Sequence, residues 1–278
     1  MISVVVPAHN EAAVIGRCLS AMTRGAVPGE LEIIVVCNGC SDETAVVARR
    51  HGDFVRVIET PVASKHVALN LGDEASRGFP RFFVDADVVV SIESIRATAE
   101  ALGSGRHLAA APRLRVDLEG CSWAVRRYHD IWMNLPYVQE GMLGSGVYAV
   151  SEAGRSRFDR WPDIIADDDL VRLAFRRDER ISVATAWFEV KPPKTLPSLI
   201  HINIRRRAGA DEMREIHPNA LEAETREQYR AYLRLWREPR QWPALVVYTW
   251  AKLATLVGYA WKKRRGRHKE WNRDATTH

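Results

Sequence analysis

Two aspartates separated by one residue follow a short apolar segment. Residues 82–84 are Phe-Phe-Val, and Asp85-Ala86-Asp87 comes directly after them. An apolar segment bounded by polar residues is typical of a buried strand, so we expect both carboxylates at a strand end. Carboxylate oxygens are the ligands that Mg²⁺ and Mn²⁺ prefer, and such sites leave positions open for phosphate oxygens. The pair predicts a metal site suited to a diphosphate; alone, it could also be a solvated strand end.

Three consecutive aspartates form the second acidic group. Asp167, Asp168 and Asp169 begin a segment that has helix-like apolar spacing up to Arg177. A carboxylate in a closed site can take the proton from an attacking hydroxyl. Acidic residues are also favoured in the first turn of a helix by the helix dipole. The trio therefore predicts either a general base or a helix start.

Cys37 and Cys40 form a Cys-x-x-Cys pair between a predicted strand and a predicted helix. This pattern is also typical of thioredoxin-like redox sites. The chain has only two more cysteines, Cys18 and Cys121, and they do not form the second pair that a zinc site of this type needs. A thiol-disulfide protein therefore stays as an alternative from a different chemical class.

The elements that would position these residues alternate between strands and helices. Strands are predicted at 2–6, 31–36, 55–59, 81–84 and 181–188, and helices at 12–22, 65–76 and 167–177. Regular alternation predicts an α/β fold, a mostly parallel central sheet with helices on both faces. Ligands of such sheets bind beyond the carboxyl ends of the strands. The polar loops after Val6, Val36 and Val84 lie at that edge.

The order and spacing of four segments resemble glycosyltransferase family 2, whose members have the GT-A fold. The segments are VVVPAHNE, CNGCSDET, SKHVALNLG and VDAD, all within residues 1–90. Weaker matches continue at Gly144-Ser145-Gly146, at 166–170 and at the arginine cluster 205–207. The resemblance implies a Rossmann-like GT-A sheet, a nucleotide-diphosphate sugar as donor, inverting transfer to an acceptor hydroxyl, and Mn²⁺ or Mg²⁺ as cofactor.

The resemblance also assigns donor-binding residues. It implies that the base and ribose pocket is lined by Pro7, Ala8, Asn10 and Glu11, with Glu11 accepting from ribose hydroxyls. Asn38 stands where the family usually has aspartate, which weakens the assignment of uracil, although a UDP-sugar is the favoured donor.

Further donor contacts follow from the same resemblance. Lys65 would contact a phosphate, Asp87 would bind the metal directly, and Asp85 would hold the ribose or sugar and assist at the metal. Gly144 and Ser145 would bring backbone close to the donor sugar or acceptor.

In the acceptor half, the resemblance implies that Asp167 is the catalytic base, with Ala166 in place of the family's glutamate. Asp168 or Asp169 could equally serve. Asn203, Arg206 and Arg207 fall where relatives have a Gln-x-x-Arg-Trp motif, and the guanidinium groups would clamp the pyrophosphate by paired hydrogen bonds. A solvated helix face is the alternative for these arginines.

Residues 242–261 are apolar on nearly every helical face, interrupted by Lys252, and the basic cluster KKRRGRHK follows at 262–269. Apolar helices flanked by aromatic residues and positive charge are typical of membrane contact. We predict contact with an anionic membrane surface through 242–269. Spanning, lying in the interface, or packing in a core or dimer all remain open.

The composition narrows the location and the partners. A net charge of +5 is too small to indicate nucleic-acid binding. The N-terminal segment lacks the pattern of a secretory signal, and the few cysteines do not form a disulfide framework. We expect a cytoplasmic protein, peripheral or anchored at the cytoplasmic face of a membrane, with an unknown acceptor that is lipid-linked or membrane-presented.

Two domains are expected. Residues 1–210 would form the GT-A domain, with a nucleotide and metal half at 1–108 and an acceptor half at 109–210, and 211–278 a C-terminal helical segment. A sugar nucleotidyltransferase is the close alternative, although a glycine-rich phosphate loop is missing near the N-terminus. A non-catalytic scaffold with the same fold is the third.

Overall fold

The computed structural model of the chain describes residues 1–139 and 146–265, without the side chains of residues 219–224. The strands of these residues form one sheet in the order β3-β2-β1-β4-β7-β6-β8-β5. The strands are β1 (Ile2–Ala8), β2 (Leu31–Asn38), β3 (Val55–Thr60), β4 (Arg81–Val84), β5 (Val89–Val90), β6 (Ala109–Val116), β7 (Val147–Val150) and β8 (Arg180–Val190).

Helices connect the strands and extend the chain after β8. They are α1 (Ile15–Thr23), α2 (Thr44–Arg49), α3 (Lys65–Ala75), α4 (Ile92–Gly103), α5 (Trp123–Trp132), α6 (Pro136–Gln139), α7 (Glu152–Arg155), α8 (Asp167–Leu173), α9 (Leu196–Ile216), α10 (Pro218–Leu235) and α11 (Trp242–Arg264). The predicted strands and helices are present with shifted ends, and the predicted α/β architecture is confirmed.

The first four strands are parallel, whereas β7 runs antiparallel to both β4 and β6, and β5 runs antiparallel to β8. β1 continues two residues beyond the predicted strand, through Pro7 to Ala8. β1 pairs with β4 only as far as Val5. Pro7 therefore has no hydrogen-bonding strand on the β4 side, and the N–H that proline lacks is not needed there.

The chain divides into two compact units. Unit 1 comprises Met1–Arg115, Gly141–Asp163 and Asp167–Val190, and unit 2 comprises Val116–Glu140, Ile164–Ala166 and Lys191–His278. The expected boundary between two domains at residue 210 stays a prediction.

Unit 1 is built on the sheet. β1 is buried from Ser3 to Ala8, and β2 is buried at nearly every position, as expected for strands covered on both faces. One core cluster joins the sheet to its helices through Val5, Leu69, Phe83, Tyr148, Trp161 and Val171. This cluster therefore fixes β1 and β4 to the same buried core.

Unit 2 contains a group of long helices. Ile204, Ala208 and Tyr259 form a buried cluster between α9 and α11, and the Tyr259 hydroxyl donates to Asp211 Oδ2 at 2.8 Å. The Asn203 amide donates to the Tyr128 hydroxyl at 3.2 Å, which joins α9 to α5. Among the helices within residues 1–139 and 146–265, none has the length and apolar character that a bilayer crossing requires.

The contact of α3 with the sheet gives a test of the packing. A Cβ at Gly72 would overlap Cγ1 of Val5 and lie 3.2 Å from Cγ2 of Val36. Both valines belong to the buried centre of the sheet and cannot move aside. We expect Gly72→Ala to lower the free energy of unfolding by about 1–3 kcal/mol, measured by urea denaturation.

Gly103 is the matched control because it also lies in a helix, and a Cβ there would meet no atom within 4 Å. Gly103→Ala should leave stability unchanged or raise it by up to about 1 kcal/mol. Equal effects of the two substitutions would contradict the described packing of α3 on β1.

Candidate active site

The loops after β1 and β2 are joined at the carboxyl edge of the sheet. The Asn38 side-chain N–H₂ donates to the Ala8 carbonyl at 3.1 Å. Asn10 has a φ of 55°, a conformation that asparagine tolerates better than most residues, and its Oδ1 accepts from the Ser41 backbone N–H at 2.6 Å. The Glu11 N–H donates to the Thr44 hydroxyl at 2.7 Å. The predicted nucleotide residues of both loops thus form one connected group.

Asn38 is buried and half-satisfied. Its amide nitrogen is committed to Ala8, whereas its Oδ1 has no hydrogen-bond partner among the described residues. A buried acceptor without a partner costs free energy, so this oxygen is suited to an N–H donor from a ligand. The amide thus makes a hydrogen bond to the Ala8 carbonyl that a carboxylate could not donate.

The two metal-site candidates follow β4. The Asp85 N–H donates to the Gly146 carbonyl at 2.8 Å, and a Cβ at Gly146 would lie 3.1 Å from Asp85 Oδ2. Asp87 is in contact with solvent, but the protein atoms around it replace part of its hydration. This partial burial raises the pKa of Asp87 to about 6, and the charges of Asp85 and Glu11 contribute to the rise. Negative charge therefore accumulates at this edge of the sheet.

These carboxylates fit a divalent cation that shares its coordination with a ligand. Within residues 1–139 and 146–265, no group of three or more histidine, cysteine or acidic side chains is arranged to hold a metal ion. Asp85 and Asp87 would supply two ligands, and Mg²⁺ or Mn²⁺ sites of this type complete their coordination with water and phosphate oxygens. The repulsion that raises the pKa of Asp87 is what a cation would relieve.

Lys65 connects the two acidic groups. It is the first residue of α3, after the N-cap Ser64, whose hydroxyl accepts from the Val67 N–H at 3.4 Å. The Lys65 Nζ lies 2.8 Å from Asp85 Oδ1 and 3.1 Å from Asp167 Oδ1. Burial alone would lower the pKa of Lys65, but the neighbouring carboxylates outweigh it and raise the pKa. The lysine therefore stays charged.

The three aspartates at the start of α8 have different surroundings. Asp167 is 4% exposed, and burial raises its pKa while the Lys65 ammonium opposes the rise. Asp169 accepts from the Arg172 guanidinium at 2.9 Å. Asp168 makes no ion pair among the described residues, and burial together with the charges of Asp167 and Asp169 raises its pKa to about 7.

An aromatic layer lies beneath these acids, and the sequence analysis missed it. Tyr148 of β7 stacks on Phe83 with ring centroids 5.0 Å apart, and the Trp161 ring lies 4.7 Å from Phe83. Asn70 fixes Trp161 by two backbone hydrogen bonds of 2.9 and 3.0 Å. The residues are far apart in the sequence and carry no motif; the apolar segment 147–150 after Gly146 was the only signal.

The environment of the cysteines does not support redox chemistry. Burial raises the pKa of Cys37 to about 12, with the neighbouring Cys40 adding to the effect. Cys40 donates to the Ala8 carbonyl at 3.3 Å and accepts from the Asn10 N–H at 3.3 Å. Reactive Cys-x-x-Cys sites lower the pKa of the attacking thiol, so the structure opposes the thiol-disulfide alternative. Cys40 instead joins the loops that follow β1 and β2.

The remaining site candidates lie in β1, outside the described residues, or in unit 2. Pro7 and Ala8 are buried in β1, and Gly144 and Ser145 fall outside the described residues. Arg206 and Arg207 belong to α9 in unit 2, where Arg206 is exposed and the Arg207 Nε lies 3.3 Å from Asp211 Oδ1. The structure therefore brings the predicted residues of unit 1 together, and it describes the two arginines only within unit 2.

The sequence of the chain is similar to those of known proteins. Residues 3–155 match the sequence profile of Glycosyl transferase family 2. Glycosyltransferase AglE of Haloferax volcanii is 35% identical over 91 residues, which cover 31% of this chain and only 30% of the length of that relative.

Two solved structures have a similar fold. The mannosyltransferase PcManGT of Pyrobaculum calidifontis has a TM-score of 0.65 at 16% identity, with 94% of this chain and 87% of that chain covered. TarS of S. aureus, residues 1–349, has a TM-score of 0.54 at 17% identity, with 98% and 93% covered. The predicted GT-A fold is thereby confirmed. Since the profile covers more than half of the sequence, the chain belongs to glycosyltransferase family 2.

Proposed function

We propose that this chain transfers a sugar from a nucleotide-diphosphate sugar to an acceptor hydroxyl, with inversion at the anomeric carbon. The observation that carries the proposal is the Lys65 ammonium, which bridges Asp85 at the metal-site edge and the buried Asp167. A cation site and a shielded carboxylate are thus held a few ångströms apart, as a transfer that expels a diphosphate and deprotonates a hydroxyl requires.

Asp87 and Asp85 are the residues that would hold Mn²⁺ or Mg²⁺. When bound, the ion would neutralise charge that develops on the departing diphosphate. Support comes from Asp87, whose pKa is raised to about 6 by burial and by the charges of Asp85 and Glu11, a rise that a bound cation would oppose. The Pyrobaculum calidifontis mannosyltransferase, which shares the fold, was crystallised with GDP-Man and Mn²⁺ and supports the same choice.

The nucleotide would bind over the joined loops of β1 and β2. Glu11 would accept from ribose hydroxyls, and the free Oδ1 of Asn38 would accept an N–H of the base. Uracil and guanine both offer such a donor; the family resemblance favours a UDP-sugar. Lys65 would contact a phosphate, as would Arg206 and Arg207 through their guanidinium groups. Gly144 and Ser145 would approach the sugar.

The catalytic base would be Asp167. Its burial shields it from water and raises its pKa, which makes the carboxylate a stronger base, while the nearby Lys65 ammonium opposes that rise. It would take the proton of the acceptor hydroxyl while the hydroxyl oxygen displaces the diphosphate in one step, which inverts the anomeric centre. Asp168 is the second candidate, because it has no cationic partner among the described residues and its pKa is raised to about 7.

The proposal extends to the location and the acceptor. The aromatic and basic character of residues 242–269 favours a protein that works at the cytoplasmic face of a membrane. Its acceptor would then be lipid-linked or presented at that membrane.

The metal site is tested by Asp87→Ala. We expect Mn²⁺ to strengthen the binding of a nucleoside diphosphate to the natural chain by about tenfold or more, measured by calorimetry, and to have no such effect on the variant. Asp53→Ala is the matched control, since Asp53 is an exposed aspartate outside the site. An unchanged Mn²⁺ effect in Asp87→Ala would remove the metal site from the account.

The base is tested by replacing Asp167, Asp168 and Asp169 singly with asparagine. We expect Asp167→Asn to lower kcat for donor turnover by about 10²–10⁴-fold with nucleotide affinity nearly preserved. Asp169→Asn serves as the control for charge in the first turn of α8. If Asp168→Asn is the variant that loses turnover, the base is Asp168; if none of the three does, the proposed base mechanism is wrong.

The redox alternative is tested by the double variant Cys37→Ser and Cys40→Ser. A serine hydroxyl at position 40 can keep the hydrogen bonds to Ala8 and Asn10, so donor turnover should stay within about twofold of the natural chain, because no thiolate takes part. Measured dithiol exchange in the natural chain, abolished by this substitution, would restore the alternative.

A further inference from the structure

One side of α11 is apolar and exposed along its whole length. The exposed positions follow each other at spacings of four, four, three, four and four residues, which places them on one helical stripe. Each is between 51% and 71% exposed, and they are Trp242, Val246, Trp250, Leu253, Val257 and Trp261. Single exposed apolar residues are ordinary, whereas a continuous stripe with three tryptophans marks an interaction surface.

The helix α10 contributes a second stripe. Tyr229, Leu233 and Trp236 are 61%, 46% and 40% exposed and again recur at helical spacing. The Tyr232 and Thr249 hydroxyls lie 2.7 Å apart, and the Trp242 indole donates to the Trp236 carbonyl at 3.1 Å. Tyr232 contacts the later position of α11, Thr249, whereas Trp236, four residues further along, contacts the earlier position, Trp242. The two helices therefore run antiparallel.

Both stripes lie on the same side of this helix pair. On α10, Leu233 lies one residue after the contact residue Tyr232, and Tyr229 lies three residues before it. On α11, Trp250 and Val246 have the same offsets from Thr249. In antiparallel helices, an equal rotation away from the contact points both stripes to one side. We call the nine residues of the two stripes the aromatic face.

The opposite side of α11 is occupied by protein. Tyr248 packs on Tyr128 of α5 with ring centroids 5.0 Å apart, and Tyr259 donates to Asp211 of α9. A Cβ at Gly258 would lie 2.6 Å from Ile204 Cδ1, so α9 approaches α11 closely. A helix with one side fixed to protein cannot be surrounded by lipid chains. Only its exposed side is available to a membrane, which favours a helix parallel to the membrane plane over one that crosses it.

Positive charge flanks the aromatic face. Between residues 229 and 265 the chain has nine lysines and arginines and a single acid, Glu238. Arg237 and Arg240 are exposed before α11, and Lys263 and Arg264 are exposed at its end. A second copy in a twofold antiparallel arrangement would bring these like charges together, which is unfavourable. An anionic lipid surface complements both the charges and the tryptophans, which favour the headgroup level.

We propose that the aromatic face lies in the headgroup region of an anionic lipid bilayer, with α10 and α11 parallel to the membrane plane. The inference rests on the proposed membrane location and specifies the surface and its orientation. It explains why no described helix needs to cross the bilayer. It does not depend on the chemistry of sugar transfer.

The test is binding of the full chain to sedimented vesicles of phosphatidylcholine with and without phosphatidylglycerol. We expect binding to the anionic vesicles that weakens with salt, and a blue shift of tryptophan fluorescence on binding. Val257→Glu should weaken this binding by about tenfold or more, because Val257 is the most exposed residue of the stripe. The double variant Trp250→Ser and Trp261→Ser should do the same without adding charge.

Val46→Glu is the matched control, since Val46 is an exposed valine on a helix of unit 1 and should leave vesicle binding unchanged. Circular dichroism establishes that all variants fold. Donor hydrolysis without vesicles should be equal in the natural chain and in Val257→Glu, so a failure of docking is distinguished from a failure of the proposed transferase activity. Unchanged vesicle binding by Val257→Glu, or a dimer in light scattering that this variant dissociates, would overturn the proposal.

Discussion

Negative charge concentrated at the carboxyl edge of the sheet is the constraint on which the site depends. Because the carboxyl ends of parallel strands lie at the same edge of the sheet, the acids that follow β1 and β4 are close together. The Lys65 ammonium bridges Asp85 and Asp167, two acids at this edge. The charge left on Asp87 and its neighbours is best relieved by a cation. The proposed metal, phosphate and base roles all depend on this excess of negative charge.

The fold keeps that arrangement in place through packing that is independent of the acids. Gly72 allows α3 to approach β1 closely, and α3 carries Lys65 at its first position. In the same core, the ring centroids of Tyr148 and Trp161 lie 5.0 and 4.7 Å from that of Phe83. Burial raises the pKa of both Asp167 and Asp168.

The sequence predicted the parts of this site that are local. The two aspartates after Val84 and the loops after β1 and β2 could be located because alternating strands and helices fix which chain ends meet at an edge. The ranking of Asp167, Asp168 and Asp169 could not be predicted, since it depends on whether the ammonium of Lys65 or the guanidinium of Arg172 reaches each acid. Likewise Tyr148 and Trp161 meet Phe83 only in the folded sheet. The apolar pattern of α11 was visible, whereas its division into a packed and an exposed side required the positions of α5 and α9.

The central claim is that Asp85 and Asp87 bind a divalent ion together with a nucleotide. Electron paramagnetic resonance of Mn²⁺ titrated into the natural chain, with and without a nucleoside diphosphate, tests it directly. Two protein carboxylates without a third ligand should bind Mn²⁺ weakly, and the nucleotide should strengthen that binding by about tenfold or more, with the reciprocal effect on the nucleotide. Mn²⁺ affinity that is the same with and without nucleotide, after correction for Mn²⁺ bound by free nucleotide, would contradict the account.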